Sequence, residues 1–306
     1  MKKKRVIAIV GPTASGKTAL SLPVAQALRG DIICMDSMQV YRGMDIGTAK
    51  PTPVERAQAP HHMLDILAPG DAYSVSQYAR DARAVIEQVA VPILVGGTGL
   101  YLQSLSLPMD YGAVGGDEGI RAKYHQIADT RGLQAVHDLL RAVDPTSADK
   151  LHPNDLRRVI RALEVYELTG VPLSRQQMPG EEDCPYDFQL YAIDMPREVL
   201  YARVNARVDQ MMAQGLLREV QALMEGGLSP DAQSMQGLGY KEMALVIRRE
   251  MPLGDAVELL KTRTRHFAKR QLTWFRRDAR IQWLPWTPGE ALAPLAREIC
   301  QKYQEA

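Results

Sequence analysis

Cysteine is scarce. The 306 residues hold three, Cys34, Cys184 and Cys300, an odd number, far apart and in no C-x-x-C pair. That excludes a disulfide-stapled scaffold and a thiolate zinc site, and reads as the reduced thiols of a cytoplasmic chain. Long hydrophobic runs are missing too, since nothing approaches the roughly 18 apolar residues of a membrane span. Met1 to Arg5 followed by Val6 to Val10 imitates the start of a signal peptide. The apolar run is only five residues and ends at Gly11-Pro12, which is shorter than a secretory core. An excess of one charge is also absent. Lys and Arg number 37 and Asp and Glu 36, so the net charge of +1 names no partner. There is no internal repeat and no low-complexity linker. The six histidines, His61, His62, His125, His137, His152 and His266, show no metal-ligand spacing. His61, His62 and His152 read as loop or capping residues. What is present is 46% hydrophobic and 24% charged residues, enough to bury a sizeable core. The length suits two domains, or one large domain with an insertion.

The apolar pattern predicts an α/β fold built on a doubly wound parallel sheet. Val6 to Val10 is a continuous β-branched run, as a central parallel strand requires. Asp31 to Met35, Val91 to Val95, Gln189 to Ile193 and Ile281 to Leu284 read as further strands, alternating with helices. Thr18 to Leu28 reads as the first helix. Residues 109–186 show helical pattern with no strand and are read as an insertion. One helix there starts at a cap formed by Asn154-Asp155 and ends at Thr169 before Gly170 and Pro172. The core thus occupies 1–108 and 187–306, with helices from Arg197 to Arg277.

Gly11-Pro12-Thr13-Ala14-Ser15-Gly16-Lys17-Thr18 fits G-x-x-x-x-G-K-[ST] between a strand and a helix. Its backbone N–H groups can converge on phosphate oxygens. The helix start adds a positive dipole end, Lys17 a charge, and the Thr18 hydroxyl a ligand for Mg²⁺. A phosphate or pyrophosphate site follows, but not the identity of the compound. Asp36 closes the second strand, where ligands of open α/β sheets bind. It is either a proton acceptor or, with Ser37, a turn cap. The third strand lacks the carboxylate that holds Mg²⁺ in many P-loop NTPases. It runs instead into Gly96-Gly97-Thr98-Gly99, which is either a close-approach site with a hydroxyl or a tight turn. Arg207 can reach over the phosphate loop, or pair on a helix surface.

Charge is uneven. Lys261 to Arg280 carries eight basic residues against Asp278, a net +7, which leaves the remaining chain at −6. Val257, Leu260, Phe267 and Trp274 read as the buried face of that helix. Arg157, Arg158 and Arg161 share one side of the insertion helix, with Leu156, Ile160 and Leu163 on the other. Two basic helices are either solvated faces or a footprint for a folded nucleic acid.

These segments together resemble the bacterial tRNA dimethylallyltransferases, or tRNA isopentenyltransferases. The resemblance rests on Gly11 to Thr18, the sixteen residues DSMQVYRGMDIGTAKP from Asp36, and VGGTGLY from Val95. HPNDLRRVIRALEV from His152, GLLREV from Gly215, GLGYKE from Gly237 and AKRQLTWFRR from Ala268 complete it, in family order over nearly the whole chain. It implies a prenyltransferase that moves a dimethylallyl group from its diphosphate to N6 of the adenosine 3′-adjacent to the anticodon, tRNA position 37. It implies that the phosphate loop holds the leaving diphosphate rather than ATP. Asp36 would be the general base on N6. Thr18 and Arg207 would stabilise the diphosphate with Mg²⁺, the metal being held through Thr18. The tRNA contacts implied are Asp36, Ser37, Met38 and Gln39; Thr98 and Arg121; Arg157, Arg158, Val159, Ile160 and Arg161; and Gln236, Gly237, Leu238, Gly239, Tyr240 and Lys241. The implied partners are a tRNA anticodon stem-loop and dimethylallyl diphosphate, with no membrane and no obligate protein partner, the chain acting as a monomer. The residues agree with this. An ionising prenyl diphosphate needs preorganised amides and cations, and no hydrolytic water has to be positioned. Two other readings of the motifs stand beside it: a P-loop kinase of a small metabolite and a nucleic-acid-stimulated ATPase. The basic helices argue against the first and the missing strand-end carboxylate against the second.

Overall fold

The computed structural model describes residues 3–107, 115–176 and 183–305. The chain forms two compact units, one of Met1–Ser106 with Cys184–Ala306 and one of Leu107–Asp183.

The larger unit is a six-stranded sheet, ordered β3-β2-β4-β1-β5-β6, in which every described pairing is parallel. The strands are β1 (Lys4–Val10), β2 (Asp31–Met35), β3 (His61–His62), β4 (Pro92–Gly96), β5 (Tyr186–Asp194) and β6 (Gln282–Pro285). Its helices are α1 (Lys17–Leu28), α2 (Pro53–Arg56), α3 (Val75–Gln88) and α4 (Gly99–Ser106) before the smaller unit. That unit holds α5 (Glu118–Arg131), α6 (Leu133–Val143), α7 (Pro145–Lys150) and α8 (Leu156–Thr169). After it come α9 (Arg197–Gln214), α10 (Leu216–Glu225), α11 (Tyr240–Ile247), α12 (Leu253–Phe275) and α13 (Ala293–Glu305). The five expected strands are present within a few residues. The sixth, β3, is new: His61 and His62 pair with Ile32 and Ile33, so these histidines lie in a strand rather than a loop or cap. His62 Nε2 lies 2.7 Å from Asp31 Oδ2 across that pair.

The unbroken apolar run of β1 has a direct cause. Val6, Ala8 and Val10 enter a core on one face of the sheet, while Ile7 and Ile9 enter a second core on the other. Side chains alternate along a strand, so a strand covered on both faces must be apolar throughout. The carboxyl ends of β1, β2 and β4 come side by side, with Val10 and Met35 both opposite Gly96. A Cβ on Gly96 would stand 1.9 Å from the Met35 carbonyl oxygen, so only glycine fits there.

The smaller unit has its own core of Tyr124, Val136, Leu140, Val159, Ile160 and Leu163. Gly170 ends α8 at φ 71° as expected, but Asp155 makes no side-chain capping bond at its start. Glu164 is fully buried in α8. It accepts from the Asp117 N–H at 2.8 Å and pairs with Arg121 at 2.8 Å and with Arg161 at 2.5 Å. A buried carboxylate is tolerable only with such partners.

Candidate functional site

The phosphate loop leaves β1 at Val10 and enters α1 at Lys17. Gly16 closes it at φ 95°, a backbone conformation natural to glycine. The loop is braced by three side chains from two helices. Arg203 Nε donates to the Ala14 carbonyl at 2.9 Å, and Arg207 Nη1 donates to Thr13 Oγ1 at 3.3 Å. Both arginines stand on α9, four residues apart, and so share a helix face. From α12, Gln271 accepts from the Thr13 N–H and donates to the Gly97 carbonyl, each at 2.9 Å. This amide ties the loops that follow β1 and β4 together. Neither Arg203 nor Gln271 is an expected site residue. Their segments carry the RVNAR and KRQ spacings, but their partners lie far away in sequence.

Loop and arginines line a cavity of about 520 Å³. Thr13, Ala14, Gly16, Lys17 and Thr18 form its phosphate end, while Gly11, Pro12 and Ser15 are buried and do not line it. Asp36, Ser37, Met38 and Gln39 of the turn after β2 enter the same cavity, with Thr98 after β4. Gln236, Gly237, Leu238 and Tyr240 line it from the segment before and into α11; Gly239 does not, and Lys241 is turned out to solvent. Val208, Met211, Leu260 and Phe267 supply an apolar wall.

The Asp36 turn is held at both ends. Asp36 Oδ1 accepts from the Met38 N–H at 2.9 Å, and Thr98 Oγ1 accepts from the Ser37 N–H at 3.2 Å. The two readings of Asp36 are therefore compatible: one oxygen closes its own turn and the carboxylate still faces the cavity. Burial pushes the Asp36 pKa up, against the pull of the Met38 N–H, Lys17 and Arg207. Lys17 moves the opposite way. Burial, with Arg207 beside it, lowers its pKa to about 7. Its ammonium donates to the Pro12 carbonyl at 2.7 Å. Burial disfavours the charged form of both groups, and Arg207 beside Lys17 adds a positive charge that a bound anion would offset.

The insertion residues divide. Arg157 and Arg158 are exposed on α8, with Asp155 3.5 Å from Arg158. Val159 and Ile160, expected to face tRNA, are 0% and 3% exposed and belong to the core instead. Arg121 and Arg161 point to Glu164, which needs their charge. On α12 the buried positions are Ala256, Leu260, Thr264, Ala268, Gln271 and Phe275, three- and four-residue steps that keep to one helix face. Trp274, expected in the core, is 45% exposed, because it lies about 100° round the helix from the buried Phe275, at the edge of the buried stripe. Lys261, Arg263, Arg265, Arg276 and Arg280 engage partners within the unit. Lys269, Arg270 and Arg277 are exposed and make no salt bridge among the described residues.

Comparison with known proteins agrees with this geometry. The family model described as IPP transferase matches residues 39–278, and that described as isopentenyl transferase matches 4–64. A tRNA dimethylallyltransferase of Pelotomaculum thermopropionicum is 46% identical over 98% of this chain and 96% of its own length. One of Bacillus cereus is 45% identical over 99% of this chain and 97% of its own. The crystal structure of the Bacillus halodurans tRNA isopentenylpyrophosphate transferase has a TM-score of 0.73 at 41% identity, covering 99% and 98% of the two chains. A eukaryotic dimethylallyltransferase solved while acting on tRNA has a TM-score of 0.83 at 30% identity, covering 99% of this chain and 80% of that one. The chain belongs to the IPP transferase family, whose curated members here are tRNA dimethylallyltransferases.

Proposed function

We propose that the chain transfers the dimethylallyl group of dimethylallyl diphosphate to N6 of the adenosine 3′-adjacent to the anticodon, tRNA position 37, and releases diphosphate. One observation carries this reading: a phosphate loop, the Asp36 carboxylate and an apolar patch of Val208, Met211, Leu260 and Phe267 line one cavity. The phosphate end takes the diphosphate on backbone amides, Lys17 and Arg207. The apolar wall takes the five-carbon chain. Asp36 stands where an amine can meet the allylic carbon. As the C1–O bond breaks, its electron pair goes to the diphosphate, and the positive surroundings stabilise that charge. The N6 nitrogen forms the new bond to C1, and its proton passes to Asp36. A carboxylate with a raised pKa is the better acceptor for that proton. The adenine has to leave its stack to enter such a cavity.

Mg²⁺ fits the donor chemistry. Among the described residues there is no group of three or more His, Cys, Asp or Glu that could form an all-protein metal site. Thr18 offers a hydroxyl beside a phosphate site, which suits an ion that takes most of its oxygens from diphosphate and water. When bound, it would add positive charge to the leaving diphosphate. No helix of the described residues is long and apolar enough to cross a membrane. We read the chain as a cytoplasmic monomer without an obligate protein partner.

The test is direct. The full chain is incubated with unmodified tRNA, Mg²⁺ and dimethylallyl diphosphate, and the nucleosides are weighed by mass spectrometry. A five-carbon prenyl increment on the adenosine at position 37 is expected. Turnover of ATP with no prenylated nucleoside would favour the kinase or ATPase readings and overturn this one.

A further inference from the structure

Glu219 lies on α10, outside the cavity lining, yet it is wired into the cavity's walls. Its Oε2 accepts from the N–H groups of Asp45 at 2.9 Å and Ile46 at 2.8 Å. Its Oε1 accepts from the Gly47 N–H at 3.1 Å and the Tyr240 hydroxyl at 2.6 Å. Three successive backbone amides converging on one carboxylate form an anion nest, here filled from within the chain. The turn is seated from its other side by Lys50, whose buried ammonium meets Asp45 Oδ1 at 2.8 Å and Asp65 Oδ1 at 2.6 Å. Gly47 is shaped for this closure: a Cβ there would stand 2.5 Å from the Tyr240 ring.

The clamped turn bears on the reacting end of the cavity. The carbonyls of Thr48 and Ala49 accept from Gln39 Nε2 at 2.9 and 3.2 Å, and Gln39 Oε1 in turn takes the Cys34 thiol at 3.2 Å. Gln39 ends the four-residue turn that begins at Asp36. A path of hydrogen bonds therefore runs from Glu219 through residues 45–49 and Gln39 to the turn that holds Asp36. We propose that Glu219 is a positioning residue for the Asp36 base, fixing the 45–49 turn and the start of α11 so that the carboxylate is aimed into the cavity. It does so without touching either substrate. The proposal rests on the prenyl-transfer reading above.

The test separates the clamp from that reading. Hydrogen exchange of the Asp45, Ile46 and Gly47 amides, measured on the full chain without substrates, reports the clamp alone. Glu219→Gln keeps the volume but replaces one acceptor oxygen by an NH₂ facing amide donors. These amides should exchange at least tenfold faster in Glu219→Gln, while those of α1 stay protected. Unchanged exchange overturns the clamp, whatever the activity. Tyr240→Phe removes one of the four bonds and keeps the ring, so it provides a milder second variant with a smaller rise.

Kinetics then test the action on Asp36. With tRNA pre-bound, Glu219→Gln should slow single-turnover prenyl transfer about 10–100-fold and leave pyrophosphate affinity within twofold. Residues acting as a unit give non-additive losses. On an Asp36→Asn background the same substitution should therefore cost less than threefold. A full multiplicative loss on that background, or a normal single-turnover rate in Glu219→Gln alone, overturns the positioning role. If the unaltered chain does not prenylate tRNA, the reaction assignment fails and the positioning role falls with it, while the exchange data still decide whether the clamp exists.

Discussion

Asp36 and Lys17 line one cavity with opposite charges, and burial displaces both toward neutrality. For Asp36 the folded pKa is raised above the unfolded value, so its ionisation opposes folding. The stability it contributes is present at pH values below its unfolded pKa and is lost as pH rises through the folded pKa. Asp36→Asn keeps the oxygen that accepts from Met38 and deletes the buried charge. It should raise the thermal midpoint at pH 7 while lowering single-turnover prenyl transfer by about 10²–10⁴. Stability regained by removing a functional charge is the common trade at active sites. A variant that was neither more stable nor slower would return Asp36 to the role of turn cap alone. For Lys17 the sign runs the other way. A folded pKa near 7 leaves the ammonium half-neutralised at pH 7 in the free protein, and a bound diphosphate restores it. Pyrophosphate affinity should then fall between pH 7 and 9, by up to about tenfold per unit, with proton uptake on binding. Calorimetry in two buffers of different ionisation enthalpy measures that uptake. Lys17→Met should bind weakly and lose this part of the pH dependence. Equal pH dependence in both proteins would show that another group titrates.

Helix α9 turns one face into a device. Arg203 and Arg207 meet the phosphate loop one helical turn apart, and Val208 and Met211 continue along the cavity's apolar wall. Arg203 is occupied by the Ala14 carbonyl and shapes the loop, whereas Arg207 holds only a long bond to the Thr13 hydroxyl and is available to an anion. Arg207→Ala should lower kcat by about 10²–10³, the cost of one preorganised donor. Arg207→Lys should not restore it, because an ammonium cannot present a planar fork of donors. Restoration by lysine would mean that charge alone is needed there. What could be read from the sequence follows the same division. Gly11 to Thr18 and Val6 to Val10 were legible because a strand, a glycine turn and a helix start are local patterns. Arg203, Glu219 and Gln271 were not, since each acts on a segment more than 170 residues away in the chain. Local spacing says only that such residues sit on a helix. Trp274 misled because it and the half-buried Phe267 lie at the edge of the stripe that α12 buries, not at its centre. Strand β3 was missed because two residues cannot show a period.

The molecule as a whole is nearly neutral, so its affinity for a polyanion has to come from where its cations are placed. Many basic residues are already engaged by internal partners. Arg121 and Arg161 neutralise the buried Glu164, and their removal would destabilise the smaller unit rather than report on RNA. Exposed cations stand at Arg157 and Arg158 in the smaller unit and at Lys269, Arg270 and Arg277 in the larger. If both sets meet phosphates of one tRNA, each should contribute to the salt dependence of binding. The double variant Arg157→Ala/Arg158→Ala should reduce the slope of log affinity against log salt by about 0.7–0.9 for each phosphate no longer neutralised. Lys269→Ala/Arg277→Ala should do the same, and the two reductions should add, because the residues lie in different units and share no partner. Pyrophosphate affinity should not move in either variant, since none of these four residues lines the cavity. The measurement is tRNA affinity by filter binding at four or more salt concentrations, with thermal midpoints as a control for folding. An unchanged slope in one double variant would return that helix to an ordinary solvated face and leave the RNA to the other unit.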